Sequence, residues 1–340
     1  MTRRLDVAII GADSIVGGAL LELLADRQLS VGEIHALAQA PERTATVEFA
    51  GQELDVEDAT QFEFSQVQLA FLAVRDPEMQ AVAERAADDG CMVVDASGTR
   101  WQDADIPTVV PELNAGDLEG FNARGIVANP DPLAVVLAVA MQPLCALAPL
   151  ERLTATAMVP VSDLGRPAFE DLARETTALL NARSYERRHF SRQIAFNVHG
   201  QVGAAGAGGQ TEREQDIGLQ LQRLLDAAGL GVALTLVPAP VFYGYGIAVE
   251  VQFESPVELA QAQAALQASE ALNLIVSLDD DDCPTPVTDA TVASEIHLAR
   301  LREGSVAGRT LAFWLTADNV RRAAALNALK NAQILIRDYL

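Results

Sequence analysis

Three cysteines, four histidines and one strand-to-helix junction are the features of this sequence best suited to nucleophilic or acid–base chemistry. The junction reads Ile126-Val-Ala-Asn-Pro-Asp-Pro-Leu-Ala-Val-Val136: a short apolar strand, a tight turn, then an apolar helix. Helix N-termini carry unpaired N–H groups and partial positive charge, so a thiolate seated there is stabilised. Here the seat holds Asp131 and Pro132, neither of which attacks a carbonyl. Asp131 is a good N-cap and Pro132 an ideal first helical residue, so the turn can satisfy its own helix terminus.

The other candidates do not fill the gap. Cys145 lies well beyond Pro132, roughly 20 Å along a helix. Cys91 opens a strand, whereas ligands in open parallel sheets sit at strand carboxyl ends. Cys283 follows Asp279-Asp-Asp-Asp282, which lacks an EF-hand spacing and reads as an exposed acidic loop. The cysteine spacings fit neither a disulfide framework nor a metal site. His35, His189, His199 and His297 do not cluster and read as surface or hydrogen-bonded residues. Tyr243 and Tyr245 could donate protons, but strand aromatics are more commonly packing. Arg100, in Asp95-Ala-Ser-Gly-Thr-Arg100, is the best single residue for gripping an anion.

A second constellation could bind rather than react. Gly11-Ala12-Asp13-Ser14-Ile15-Val16-Gly17 joins an apolar strand to an apolar helix, where backbone N–H groups can meet a dinucleotide pyrophosphate. The pattern is G-x-x-S-x-x-G rather than G-x-G-x-x-G, and a tight turn that binds nothing would look similar. The second strand ends without the acidic residue an NAD ribose prefers, and Arg43 follows it. Any dinucleotide expected here is therefore NADP rather than NAD. Gly200 to Gln210 reads as a flexible connector.

The elements that must position these residues change character along the chain. Up to about residue 145 short apolar strands alternate with helical stretches, which predicts βαβ units and a parallel sheet. Beyond about 150, long strands with fewer helices predict an α+β region. Thr211 with Glu214, and Ser255 with Glu258, fit capping boxes that open two helices, and Asp318 is the expected N-cap of a last helix over 319–339. The chain has 340 residues, half of them hydrophobic, with 24 Lys and Arg against 47 Asp and Glu. A net charge of −23 repels phosphate backbones and anionic membranes, so no nucleic-acid or membrane partner is expected. No apolar run is long enough to span a bilayer. The expected location is cytoplasmic, with free thiols.

Taken in order, Gly11-Ala-Asp-Ser-Ile-Val-Gly17, Val109-Val-Pro-Glu-Leu-Asn114, Ile126-Val-Ala-Asn-Pro130, Ile194-Ala-Phe-Asn197, Pro284-Thr-Pro286 and Asp318-Asn-Val-Arg-Arg-Ala-Ala-Ala-Leu-Asn327 resemble the aspartate-semialdehyde dehydrogenase family over essentially the whole chain. The resemblance implies an α/β fold: a Rossmann-type parallel-sheet domain over 1–130 completed by a C-terminal helix over 317–340, and an α+β catalytic and dimerisation domain over 131–316. It implies a homodimer and an NADP site that includes Asn319. Family enzymes reduce aspartyl phosphate through a cysteine thioester, with a histidine moving protons and arginines holding the anionic groups. Carried over position by position, the cysteine falls on Pro132 and the histidine on Tyr245. A glutamine falls on Val159, the substrate arginine on Pro238, and a glutamate and lysine on Arg213 and Asp216; the anion-binding arginine survives as Arg100. Ser14 replaces a turn glycine, and Ala73-Val-Arg75 stands where small residues line the nicotinamide. The pattern resembles the Usg-type relatives, which keep the fold without the nucleophile. The expectation is a non-catalytic homologue with no catalytic residues and no metal, NADP bound weakly or vestigially, and a small anionic ligand or a protein as partner. The alternative is an NADP-dependent oxidoreductase of the family, acting on an aldehyde or acyl phosphate in amino-acid biosynthesis through other residues.

Overall fold

In a computed structural model, the structure describes residues 4–26, 29–277, 279–292 and 294–339, apart from the side chains of Asp280 and Val292. The chain divides into two compact units, one formed by Met1–Pro132 and Ala323–Leu340, the other by Leu133–Arg322. The fold is α/β, with a Rossmann-type sheet in the first unit and an α+β arrangement in the second.

The first unit runs β1 (Leu5–Ile10), α1 (Ile15–Ala25), β2 (Val31–Ala38), β3 (Thr46–Phe49), β4 (Gln52–Asp58), β5 (Leu69–Leu72), α2 (Pro77–Asp88), β6 (Met92–Asp95), α3 (Pro111–Asn114) and β7 (Ile126–Ala128). The strands form one sheet in the order β3-β4-β2-β1-β5-β6-β7. Every pairing is parallel except the β3–β4 hairpin. The central strands are buried along almost their whole length, which is why they read as unbroken apolar runs rather than alternating ones. The hairpin was not expected from the sequence. Its turn is Ala50-Gly51, both at positive φ, a pairing less recognisable than Asn-Gly.

The last helix begins as a π-helical turn (Arg321–Ala325) and continues as α8 (Leu326–Tyr339). Asp318 caps its start as expected, its Oδ1 accepting the N–H groups of Val320 and Arg321 at 2.7 Å each. Within the first unit α8 packs on α1 and β6. Buried asparagines tie it to the end of β7: Asn327 Nδ2 donates to Asn129 Oδ1 at 2.8 Å and to Val109 O at 3.0 Å, and Asn129 Nδ2 donates to Ala324 O at 2.9 Å. Three of the motifs quoted above are thus joined by structural hydrogen bonds.

The second unit contains most of α4 (Pro132–Cys145), then β8 (Leu150–Val159), α5 (Arg166–Leu180), α6 (Glu212–Leu224), β9 (Gly231–Pro238), β10 (Tyr245–Phe253), α7 (Leu259–Gln267), β11 (Leu272–Ile275), β12 (Ile296–Glu303) and β13 (Thr310–Ala317). Its mixed sheet has the order β11-β12-β13-β10-β8-β9. β8 alternates strictly between buried and exposed residues from Leu153 to Val159, the pattern of a strand with one covered face. Thr211 and Glu214 form the expected capping box of α6. Ser255 and Glu258 do not form the other. The N–H of Val257 is drawn to Gly308 O at 2.9 Å, which holds that stretch extended and delays α7 until Leu259. Among the described residues no helix is long and apolar enough to cross a membrane.

Candidate functional site

The glycine turn is built by packing before any ligand is considered. Gly11 has φ +84°, and a Cβ there would lie 2.8 Å from the Val74 side chain. A Cβ at Gly17 would overlap the backbone of Gly11 and Ala12. Both glycines are therefore required for the strand to pass so closely into the helix, with or without a nucleotide. Ser14 is the N-cap of α1: its Oγ accepts the Gly17 N–H at 2.9 Å and donates to Ala73 O at 2.9 Å. One N–H that could face a pyrophosphate is thereby used by the protein itself. Around it Ala12 is buried, Asp13 is exposed, and Ile15 and Val16 are half-buried. Arg43 is exposed in the loop after β2 and has no partner among the described residues, so its guanidinium remains available.

Arg75 and Asp131 meet at the turn that leads into α4. Arg75 Nε donates to Ser97 O at 2.7 Å, and its Nη2 lies 3.6 Å from Asp131 Oδ2. Asp131 is buried and Pro132 opens α4. The guanidinium thus neutralises the carboxylate in the turn.

Arg100 is engaged by groups of the protein itself. Its Nη1 lies 2.8 Å from Glu84 Oε1 and 3.5 Å from Asp103 Oδ2, its Nη2 donates to Gln80 O at 3.0 Å, and its Nε is 3.0 Å from Asp95 Oδ2. The last contact is close in distance but too poorly aligned to be a hydrogen bond, since both atoms lack a hydrogen-bond partner. With three carboxylates around a buried guanidinium, little positive charge remains for an external anion. Burial pushes the Asp95 carboxyl up, against the opposing pull of Ser97 and Arg100.

A tighter cluster lies in the second unit. Asp163, in the short turn Val161–Leu164 after β8, has a side chain 2% exposed. Tyr245 Oη donates to its Oδ1 at 2.6 Å, and Arg213 Nη1 binds its Oδ2 at 2.5 Å. Tyr245 starts β10 and Arg213 lies in the first turn of α6, so three separate elements converge on one carboxylate. Beside it Asn319 Oδ1 accepts the Gly244 N–H at 2.9 Å, and its Nδ2 donates to Ser162 Oγ at 3.0 Å. Asn319, expected to touch a dinucleotide, is 2% exposed and has both ends of its amide engaged inside this unit. Tyr245 and Arg213 were identified from the sequence as replacements. Asp163, which joins them, was not, although it directly follows the Pro160-Val-Ser162 segment; an acidic residue at the end of an apolar strand was the available signal.

Burial pushes the Cys91 thiol up to about 12 and the Cys145 thiol up to about 11, so neither offers a thiolate near neutrality. Among the described residues no group of three His, Cys, Asp or Glu could hold a metal ion. His35 bonds Glu57 and His297 bonds Asn273, while His189 and His199 flank the Phe190 ring.

A semialdehyde dehydrogenase NAD binding domain matches residues 6–121, and a semialdehyde dehydrogenase dimerisation domain matches residues 141–322. The chain is 38% identical over 338 residues to a USG-1 protein homolog of Azotobacter vinelandii, covering 99% of each. The crystal structure of aspartate semialdehyde dehydrogenase II from Vibrio cholerae, complexed with ASA, matches with a TM-score of 0.94 at 33% identity, covering 100% of both chains. A probable aspartate-semialdehyde dehydrogenase from Pseudomonas aeruginosa matches with a TM-score of 0.91 at 38% identity, over 99% of this chain and 100% of the other.

Proposed function

The chain belongs to the semialdehyde dehydrogenase family, and we propose that it is a homodimeric, non-catalytic homologue of aspartate-semialdehyde dehydrogenase with a binding or regulatory role. The observation carrying this reading is the closed Arg213–Asp163–Tyr245 cluster. Two of its members stand where the resemblance puts a substrate-site glutamate and the proton-transferring histidine. Their side chains are committed to an internal carboxylate, and Pro132 stands where the nucleophile belongs. A phenol bonded to a carboxylate beside a guanidinium forms no thioester and turns none over.

NADP binding is weak or vestigial in this reading. Ser14 takes a helix N–H, Asn319 is turned to Gly244 and Ser162, and the Arg75 side chain lies at the junction. The exposed Arg43 keeps its expected availability. Homodimerisation draws support from the exposed face of the second sheet. Thr235, Thr156, Ala248 and Trp314 form a row of uncharged residues across four strands, and Thr156 and Ala248 are exposed. Such a face in an acidic chain fits coverage by an identical copy.

The test is an NADP-dependent absorbance assay with aspartate semialdehyde and phosphate, run beside the Vibrio cholerae relative. The expected result is no turnover above background. Turnover within tenfold of that relative would instead establish the oxidoreductase alternative.

A further inference from the structure

A cavity of about 530 Å³ opens within the second unit, between the turn after β8 and the segment that follows α5. Its walls are Leu164, Phe190 and Pro238 on the apolar side, with His189, Arg192 and His199 and the 200–203 backbone on the polar side. The volume lies in the usual range for small-molecule sites. In a chain with 47 acidic residues, none of the residues lining this cavity is Asp or Glu.

The polar wall is held in place from behind. Asp171 on α5 accepts the N–H groups of Arg188, His189 and Phe190 at 2.7 to 3.1 Å and the hydroxyl of Tyr185 at 2.7 Å. One turn on, Glu175 accepts the N–H groups of Ile194 and Ala195 and binds Arg187 Nε at 2.6 Å. His199 Nε2 lies 2.9 Å from Gln193 O, which makes that nitrogen the donor and fixes the ring. The loop is preorganised although it has no regular secondary structure.

What faces the cavity is unspent. Arg192 has no ion-pair or hydrogen-bond partner among the described residues, and neither does the imidazole of His189 beyond its edge contact with Phe190. The N–H groups of residues 200–203 have no acceptor among the described residues, and Gly203 has φ +75°. A guanidinium, an imidazole and a run of free backbone donors, with an apolar wall opposite, form a concavity that suits a tetrahedral anion on an organic body.

We infer that this cavity binds a small phosphate-bearing organic molecule, with the Arg192 guanidinium and the His189 imidazole as its side-chain contacts and the 200–203 backbone as its cradle. The inference does not depend on whether catalysis survives, because apart from Pro238 its residues lie outside the positions carried over from the dehydrogenases. Isothermal titration of the full chain with inorganic pyrophosphate at fixed ionic strength is the test. Saturable binding below about 1 mM is expected, weakened about tenfold or more in Arg192→Ala, as the loss of one charge-assisted hydrogen bond implies. Arg192→Lys should retain part of the affinity. Arg192 is exposed, so the variant should fold, and an unchanged melting curve would confirm that. No saturation in the wild type overturns the inference. So does equal affinity in Arg192→Ala, which would move the anion elsewhere, for instance to the glycine turn.

Discussion

At Ser14 a single hydroxyl caps α1 and ties it to the end of β5, so its removal should register in two ways. Ser14→Ala should cost about 1 kcal/mol in denaturant unfolding, the usual value of an N-cap. It should also tighten NADP binding by freeing the Gly17 N–H. Unchanged stability together with weaker NADP binding would mean that the hydroxyl touches the cofactor rather than competing with it. Asp163 is the sharper case, because its buried carboxylate holds a guanidinium and a phenol at once. Asp163→Leu leaves Arg213 without that carboxylate and should destabilise by about 3 kcal/mol, read as a lower denaturation midpoint with an unchanged slope. At this scale the sequence was informative about residue types: Pro132, Tyr245 and Pro238 stand where the resemblance puts a nucleophile, a histidine and a clamp. It was silent on what the replacements do, because the Asp163 contacts span 50 and 82 residues. The contacts of Asn319 were hidden for the same reason, since Gly244 and Ser162 come from remote turns.

Among the elements, α5 has the most to test. Asp171 and Glu175 lie one helical turn apart, both buried, and both bind the same downstream segment. Burial opposes ionisation, but the hydrogen bonds from the segment outweigh it and hold both carboxyls below their ordinary values of 3.8 and 4.5. Folding lowers these pKa values, so the stabilisation is complete above the ordinary carboxylate range and is lost as pH falls through the lower folded values. Urea midpoints measured from pH 7 down to pH 3 should fall mainly below about pH 4.5, and Asp171→Asn should flatten that fall. Asn offers one acceptor where the carboxylate offers two, so the variant should also lose about 1.5–3 kcal/mol. A variant whose pH profile matched the wild type would remove Asp171 as an anchor. Element types were largely legible from periodicity and caps, as α6 and the last helix illustrate. The departures, the hairpin turn at Ala50-Gly51 and the delayed start of α7, arise where an unusual turn residue or a remote backbone acceptor overrides the local pattern.

On the proposed function, the molecule as a whole is a scaffold kept for assembly rather than turnover. Light scattering should give about twice the 36.2 kDa chain mass at micromolar concentration. Thr156→Arg, which sets a charge into the uncharged row of the exposed sheet face, should shift the mass toward a single chain. A monomeric wild type would contradict the dimer, and a dimer indifferent to Thr156→Arg would place the interface elsewhere. The fold was readable at this scale because two successive patterns, strands alternating with helices and then long strands, each demand their own sheet. The most direct test of the central claim is the phosphate-dependent reduction of NADP by Pro132→Cys in the presence of aspartate semialdehyde. Iodoacetamide labelling should first establish that the variant carries a new reactive thiol at the start of α4, where the helix dipole favours a thiolate. Loss of a general base alone typically costs 10²–10⁴-fold, and Arg213 and Tyr245 remain bound to Asp163, so turnover should stay at background. Turnover above a few per cent of the Vibrio cholerae enzyme's rate would mean that the rest of the site is intact and that only the nucleophile had been lost.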